Sequence, residues 1–355
     1  MPVRNNNKGR GTFNTVNARY LAHTREAQED GWDLPDDSRT VRTTVTVEKP
    51  RTVISRNQSP DIPFEASINP YRGCEHGCIY CYARPSHAYM DLSPGIDFES
   101  KLFVKPGAAD LLKKEISKPG YKCTPIALGT NTDPYQPIER DWNVTRRIIE
   151  VLKTYNHPLT IVTKSWLVER DIDLLSEMAG KNLTQVFISV TTLDTVLARK
   201  LEPRATSPHR RLETLANLHS AGIPAGVMFA PVIPALNDTE MENILAEATA
   251  AGVMNAGYVI LRLPHEVKIL FREWLQTHYP MKAGHVMNMV RDIRGGMDND
   301  PEFGLRMRGK GIYADMIEQR FRKTCQQLGL NQNMIKLDTT KFIAPARNER
   351  QLQLF

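Results

Sequence analysis

Three cysteines within eight residues dominate the chemistry this sequence could do. They stand in Gly73-Cys74-Glu75-His76-Gly77-Cys78-Ile79-Tyr80-Cys81-Tyr82, a C-x3-C-x2-C spacing. Thiolates are soft ligands that suit zinc or iron–sulfur centres. A closed structural zinc site wants four ligands, usually from two C-x2-C pairs. His76 could serve as a fourth ligand, but no second pair exists. Only Cys123 and Cys325 are left of five cysteines, too few for a second cluster. Three thiolates on a 4Fe–4S cluster leave one iron without a protein ligand, and an open position is what a catalytic metal needs. A cluster is therefore the preferred reading. A non-catalytic module built on structural zinc is the alternative.

The same motif, with aromatic Tyr80 just before the third cysteine, resembles the signature of the radical S-adenosylmethionine (SAM) superfamily. The resemblance implies that the open iron chelates the amino and carboxylate groups of SAM. An electron from the cluster then cleaves the sulfonium, and a 5′-deoxyadenosyl radical abstracts hydrogen from the substrate. It implies a flavodoxin- or ferredoxin-type electron donor as well. In such an enzyme the cofactor carries the hard chemistry, while the protein positions it and excludes water.

The elements that must position these groups alternate along the chain. Short apolar runs predict strands at Phe64–Pro70, Thr124–Thr130, Leu159–Thr163, Gln185–Thr191, Ile223–Ala230 and Ala256–Leu261. Helical patterns fall between them at Ile79–Met90 with Ala108–Ser117, Val144–Tyr155, Asp171–Ala179, His209–Ala221 and Glu240–Ala250. Asp141 is a candidate cap for the helix from Val144, and Gly222 a C-terminal stop for the helix ending at Ala221. Strands that are apolar on both faces, each followed by a helix, make parallel βα units. The expected fold is α/β: a partial (β/α)6 TIM-type barrel, which the resemblance also implies. In such barrels chemistry sits on loops after the strands' C-terminal ends, and the cysteine loop follows the first strand.

The other strand ends carry candidate partners. After the second strand comes Gly129-Thr130-Asn131-Thr132-Asp133-Pro134, after the third Thr163-Lys164-Ser165, and Ser189 closes the fourth. Prolines and polar turn residues explain part of this pattern, but not so many donors and acceptors at one end of the sheet. From Phe187 to Pro234 the chain further resembles the spore photoproduct lyase family and its photolyase-like relatives. The matching residues are Ile188-Ser189, Leu201-Glu202-Pro203, Ser207-Pro208, Arg211, Ala221-Gly222 and Ala230-Pro231. By position, the resemblance makes Tyr80, Thr130, Asn131, Thr132, Asp133, Lys164 and Ser189 contacts of SAM. It also exposes a departure. The lyase returns hydrogen from a cysteine near the end of its second strand, and Leu128-Gly129-Thr130 here contains none. Cys123, at the other end of that strand, reads as structural.

The formal charge is +6 over 355 residues, which permits an anionic partner without demanding one. Arg199, Lys200, Arg204, Arg210 and Arg211 surround one acid, Glu202, and Arg306, Arg308 and Lys310 form a second basic stretch. Such runs are usually solvated faces; read functionally they make a phosphate-contacting rim, with Arg204, Arg211 and Arg308 as candidate substrate contacts, and the photolyase-like resemblance makes DNA the expected partner. RNA and protein are alternative substrates.

The organisation expected is a polar N-terminal extension (1–60), the barrel (61–280), a helical and loop extension (281–343), and a linker with a terminal apolar peptide (344–355). That peptide, Gln351-Leu352-Gln353-Leu354-Phe355, resembles the bacterial sliding-clamp-binding pentapeptide. Gln351 would make the polar contact, with Leu352 beside it, and Leu354 and Phe355 would fill an apolar pocket. No apolar run is long enough to span a bilayer, and the first residues lack a secretory apolar stretch, so the expected location is the cytoplasm.

Overall fold

All six apolar runs form strands in the computed structural model, which describes residues 9–12, 16–20, 41–333 and 335–346. They are β1 (Ala66–Ile68), β2 (Ile126–Leu128), β3 (Leu159–Thr163), β4 (Thr184–Ser189), β5 (Ala225–Val232) and β6 (Asn255–Ile260). All five pairings are parallel and follow chain order, so the sheet runs β6-β5-β4-β3-β2-β1. A short antiparallel strand, Ile54–Arg56, extends it beyond β1.

The crossovers carry α1 (Ala108–Ile116), α2 (Val144–Thr154), α3 (Ile172–Ala179), α4 (Pro208–Ser220) and α5 (Met241–Ala250). Then come α6 (Val267–His278), α7 (Pro280–Asp292) and α8 (Ile312–Gln327). The spacing of Val144, Ile148, Ile149 and Leu152 puts one face of α2 into the core, where all four are fully buried. Each such burial is worth about 1.5–3 kcal/mol.

Local details differ from expectation. Asp141 does not cap α2. It lies in a preceding short helix, Glu139–Trp142, and Glu139 accepts the α2 amides of Thr145 (3.0 Å) and Arg146 (3.4 Å) instead. The helix expected from Ile79 starts only at Arg84, as a 3-10 turn to Met90, because tight turns first wrap the cysteines: Cys81 N–H donates to Cys78 O (3.2 Å) and Arg84 N–H to Cys81 O (3.2 Å). Thr44–Val47 pairs in parallel with Lys101–Val104 in a second, three-stranded sheet.

The sheet is open between β6 and Ile54–Arg56, and the basic stretch near residue 306 bridges that gap. Ile260 N–H donates to Met307 O (2.9 Å) on one side. On the other, Arg306 pairs with Asp61 and donates to Ser59 Oγ (2.5 Å), and Gly304 N–H donates to Asp61 (2.5 Å). Among the described residues, no helix is long and apolar enough to cross a membrane.

Candidate active site

The cysteine loop sits at the C-terminal end of the sheet, held from every side. Cys74 and Cys78 are buried and Cys81 half-buried, and none is in a disulfide. Cys74 N–H donates to Phe98 O (2.9 Å), and the amide of Ile79 to Leu201 O (3.0 Å). Beneath the loop Arg84 is fully buried. It donates to Cys78 O (2.9 Å), Pro94 O (3.1 Å) and Gly95 O (2.9 Å) and pairs with buried Glu99 at 2.6 Å. The N-terminal stretch closes the outer side: Gly11 N–H and Thr12 Oγ1 donate to Glu99 (2.9 and 3.1 Å). Gly11 lies so close that a Cβ there would stand 1.9 Å from Gly77 O.

Burial pushes all three thiols above their ordinary range. A bound metal centre reverses that logic by stabilising the thiolates. Among the described residues, no three His, Cys, Asp or Glu side chains suit a single metal ion. Three free thiols on one loop are the soft donor set a cluster takes, in which separate irons take separate thiolates. His76 is buried and its Nδ1 faces Asp133 Oδ2 at 3.3 Å, which engages the fourth ligand a zinc site would have borrowed.

The strand-end residues gather beside this loop. Asp133 accepts from Thr163 Oγ1 (2.6 Å) and from the amides of Tyr135 (2.9 Å) and Lys164 (2.8 Å). Burial would raise its carboxyl, but His76 and these donors outweigh it and hold it down to about 2. It ties the second and third strand ends to the cysteine loop. Thr132 Oγ1 donates to Tyr71 O (3.1 Å), while Thr130 Oγ1 (3.4 Å) and Asn131 N–H (3.0 Å) donate to Asn69 Oδ1. Thr130 O accepts from Tyr82, so this loop is locked to the residue after Cys81. Ser189 is buried at the end of β4.

Lys164 and Tyr80 converge on Glu202, a matched residue in the sequence that was not expected in the site. The Lys164 ammonium lies 4.0 Å from Glu202 and 5.9 Å from the centre of the Tyr80 ring. Glu202, 2% exposed, accepts from Thr191 Oγ1 (2.6 Å) and Tyr80 Oη and pairs with Arg211. Burial alone would raise its carboxyl, but Arg211, Lys164 and the two hydroxyls hold it down to about 2. Its signal in the sequence was that of a lone acid among five cations. Asn69 and Gln136 were also missed. Gln136, fully buried, accepts from Glu75 N–H (3.0 Å) and donates to Gly73 O (3.1 Å), clamping the loop on both sides of Cys74. Single polar residues beside a proline carried no signal for either.

The expected substrate arginines do not sit together. Arg211 is corrected to an internal role: it is 2% exposed, and it donates to Thr206 O (2.8 Å), Ser189 O (2.9 Å) and Glu202. Arg308 is exposed and paired with Glu318 of α8 at 2.9 Å. Arg204 pairs with Glu75 at 3.2 Å and lines a cavity of about 280 Å³ with His76, Ser165 and Trp166. Gln351, Leu352, Leu354 and Phe355 lie outside the described residues.

The chain is similar to known proteins in sequence and in fold. The sequence model of the Radical SAM superfamily matches residues 68–248. An uncharacterized protein of Mycobacterium tuberculosis is 37% identical over 232 residues, spanning 65% of this chain and 68% of that one. An uncharacterized protein of Methanocaldococcus jannaschii is 32% identical over 214 residues, 60% of this chain and 76% of that one. Among solved structures, spore photoproduct lyase complexed with dinucleoside spore photoproduct aligns with a TM-score of 0.59 at 17% identity, covering 82% of each chain. At that identity the likeness speaks for the fold. The family match, spanning the cysteine loop and β2 to β5, means that the chain belongs to the radical SAM superfamily of enzymes.

Proposed function

We propose that Cys74, Cys78 and Cys81 hold the 4Fe–4S cluster that membership of this superfamily implies. Lys164, Ser189, Tyr80 and the 130–133 loop then form the SAM side of the site. The observation that carries this reading is the buried three-thiol loop at the strand ends with the Lys164 ammonium beside it. When bound, cluster and SAM supply reductive cleavage of the sulfonium to a 5′-deoxyadenosyl radical.

The chain's own residues do the rest. Lys164 offers a cation already fixed against Glu202 and Tyr80, ready to meet the SAM carboxylate. Asp133 contributes as a brace, because its oxygens already accept three hydrogen bonds and face His76. The N-terminal stretch and the Arg84–Glu99 pair keep water from the loop. After anaerobic reconstitution the protein is expected to hold iron with sulfide and to release 5′-deoxyadenosine. Cys78→Ala removes both the cluster absorbance and the release; an intact cluster in that variant refutes the assignment.

DNA is the substrate class this reading favours, in a photolyase-like repair reaction. It is supported by the fold shared with a lyase solved with a dinucleoside lesion, by the net positive charge, and by the resemblance of residues 351–355 to the sliding-clamp peptide. The lesion differs from that lyase's own, since Leu128-Gly129-Thr130 offers no thiol as hydrogen donor. Binding to duplex DNA, single-stranded DNA and tRNA against salt tests the class. Clamp binding with and without residues 351–355 tests recruitment: loss on truncation supports it, and no binding by the full chain removes it.

A further inference from the structure

At the barrel mouth stands Arg262, which forms no ion pair among the described residues. Arg262 follows β6 and stacks on the Tyr82 ring, its guanidinium carbon 5.2 Å from the ring centre. Tyr82 is the neighbour of Cys81 and reaches across to Thr130 O. The backbone on both sides of Arg262 is fixed: Leu261 N–H donates to Val232 O (2.9 Å) and Leu263 N–H to Asn299 Oδ1 (3.2 Å). Its side chain is not so satisfied. Among the described residues, Nη1 meets only the Met307 sulfur, at 3.6 Å, and Nε is buried without a hydrogen-bond partner. Asp61, the carboxylate that acts on Arg262, is already engaged by Arg306.

Leaving a buried N–H of a charged group unpaired is costly, so a fold keeps one where a ligand supplies the partner. Burial lowers the Arg262 guanidinium and Arg306 lowers it further, the mark of a cation short of negative charge. The Nε–Nη edge is a fork that fits a carboxylate or phosphate. The rim around it is aromatic and basic. Tyr82 is 46% and Phe303 57% exposed, and the Arg306 guanidinium lies 4.5 Å from the Phe303 ring centre. Exposed aromatic rings interleaved with arginines suit bases and backbone phosphates better than an acidic peptide.

We propose that Arg262 receives a backbone phosphate of a nucleic-acid substrate at the mouth of the barrel, with Tyr82 and Phe303 flanking the bases. This rests on the radical SAM reading of the site and names the substrate group that enters it. Arg262, absent from the basic clusters visible in the sequence, takes the role expected there of Arg211 and Arg308.

The test uses the cluster-loaded full chain. Binding of a single-stranded DNA oligonucleotide, duplex DNA and tRNA is measured against salt for wild type, Arg262→Gln and Arg262→Lys, alongside SAM binding and iron content. Arg262→Gln should weaken nucleic-acid binding roughly tenfold and lower the salt slope by about one. SAM binding and iron should stay at wild-type levels, and Arg262→Lys should keep the slope. An unchanged slope in Arg262→Gln while wild type binds overturns the proposal alone. A parallel loss of SAM binding overturns it too, assigning the arginine to SAM. Binding of tRNA but not DNA, with the Arg262-dependent slope, upholds it and overturns the DNA reading. No binding of any nucleic acid by wild type overturns both.

Discussion

Removing the charge of Glu202 should be among the most damaging single changes in this protein. Glu202→Gln keeps the shape and an acceptor for Tyr80, but it leaves Arg211 buried at 2% exposure without its counter-charge. Breaking a buried pair by removing one partner costs about 3–5 kcal/mol. The depressed carboxyl gives a second estimate. A fall from 4.5 to about 2 corresponds to a stabilisation of about 3 kcal/mol when fully expressed. The sign follows from the depressed value: the stabilisation is complete above the unfolded pKa and is lost as pH falls through the folded one. With these two values about 1 kcal/mol is already gone at pH 4. Urea unfolding of the metal-free chain should therefore show a gap of about 3–5 kcal/mol between wild type and Glu202→Gln at pH 7, narrowing toward pH 4. Adding Arg211→Met to Glu202→Gln should recover much of the loss, because the orphaned cation is gone. A gap below about 1 kcal/mol at pH 7, or one that widens in acid, refutes the reasoning.

Three other outcomes can be checked. Lys164→Met should weaken SAM binding by roughly tenfold or more while leaving the iron content unchanged, since it removes a charged partner of SAM but no cluster ligand; loss of iron would show a different role. Gly129→Ala should cost more than about 3 kcal/mol in thermal or urea unfolding, because φ is +87° and a Cβ would lie 1.9 Å from Val162 O; a near-neutral result refutes the close approach. His157 is held down to about 4 by burial, with Nε2 2.8 Å from Tyr121 Oη and Nδ1 3.1 Å from Pro158 O. The unfolded chain therefore binds an extra proton between about pH 6.5 and 4, so stability falls as pH drops through that window. Melting temperatures should show a shallower fall over it in His157→Gln, and an unchanged slope would count against this.

The sequence by itself determined the family and the end of the sheet at which its cysteine loop stands. Thiol spacing is local, so Cys74, Cys78 and Cys81 could be read directly. Strands buried on both faces write apolar runs, so six strands and the loops that follow them were legible, and with them Asp133, Lys164 and Ser189. Periodicity reports burial but not partners. Only the tertiary structure paired Tyr80 with Glu202, 122 residues away, joined Arg306 to Asp61 across the open sheet, and set Gly11 against Gly77. For the same reason charge runs misled: Arg211 looks like a surface cation in sequence, and β4 with its neighbours turns it inward onto Ser189 O and Glu202. Arg262 showed the opposite. It stands alone in an apolar stretch and gave no sign, yet the end of β6 places it over Tyr82 with an unpartnered N–H, because the order of strands in the sheet decides which distant side chains share the mouth.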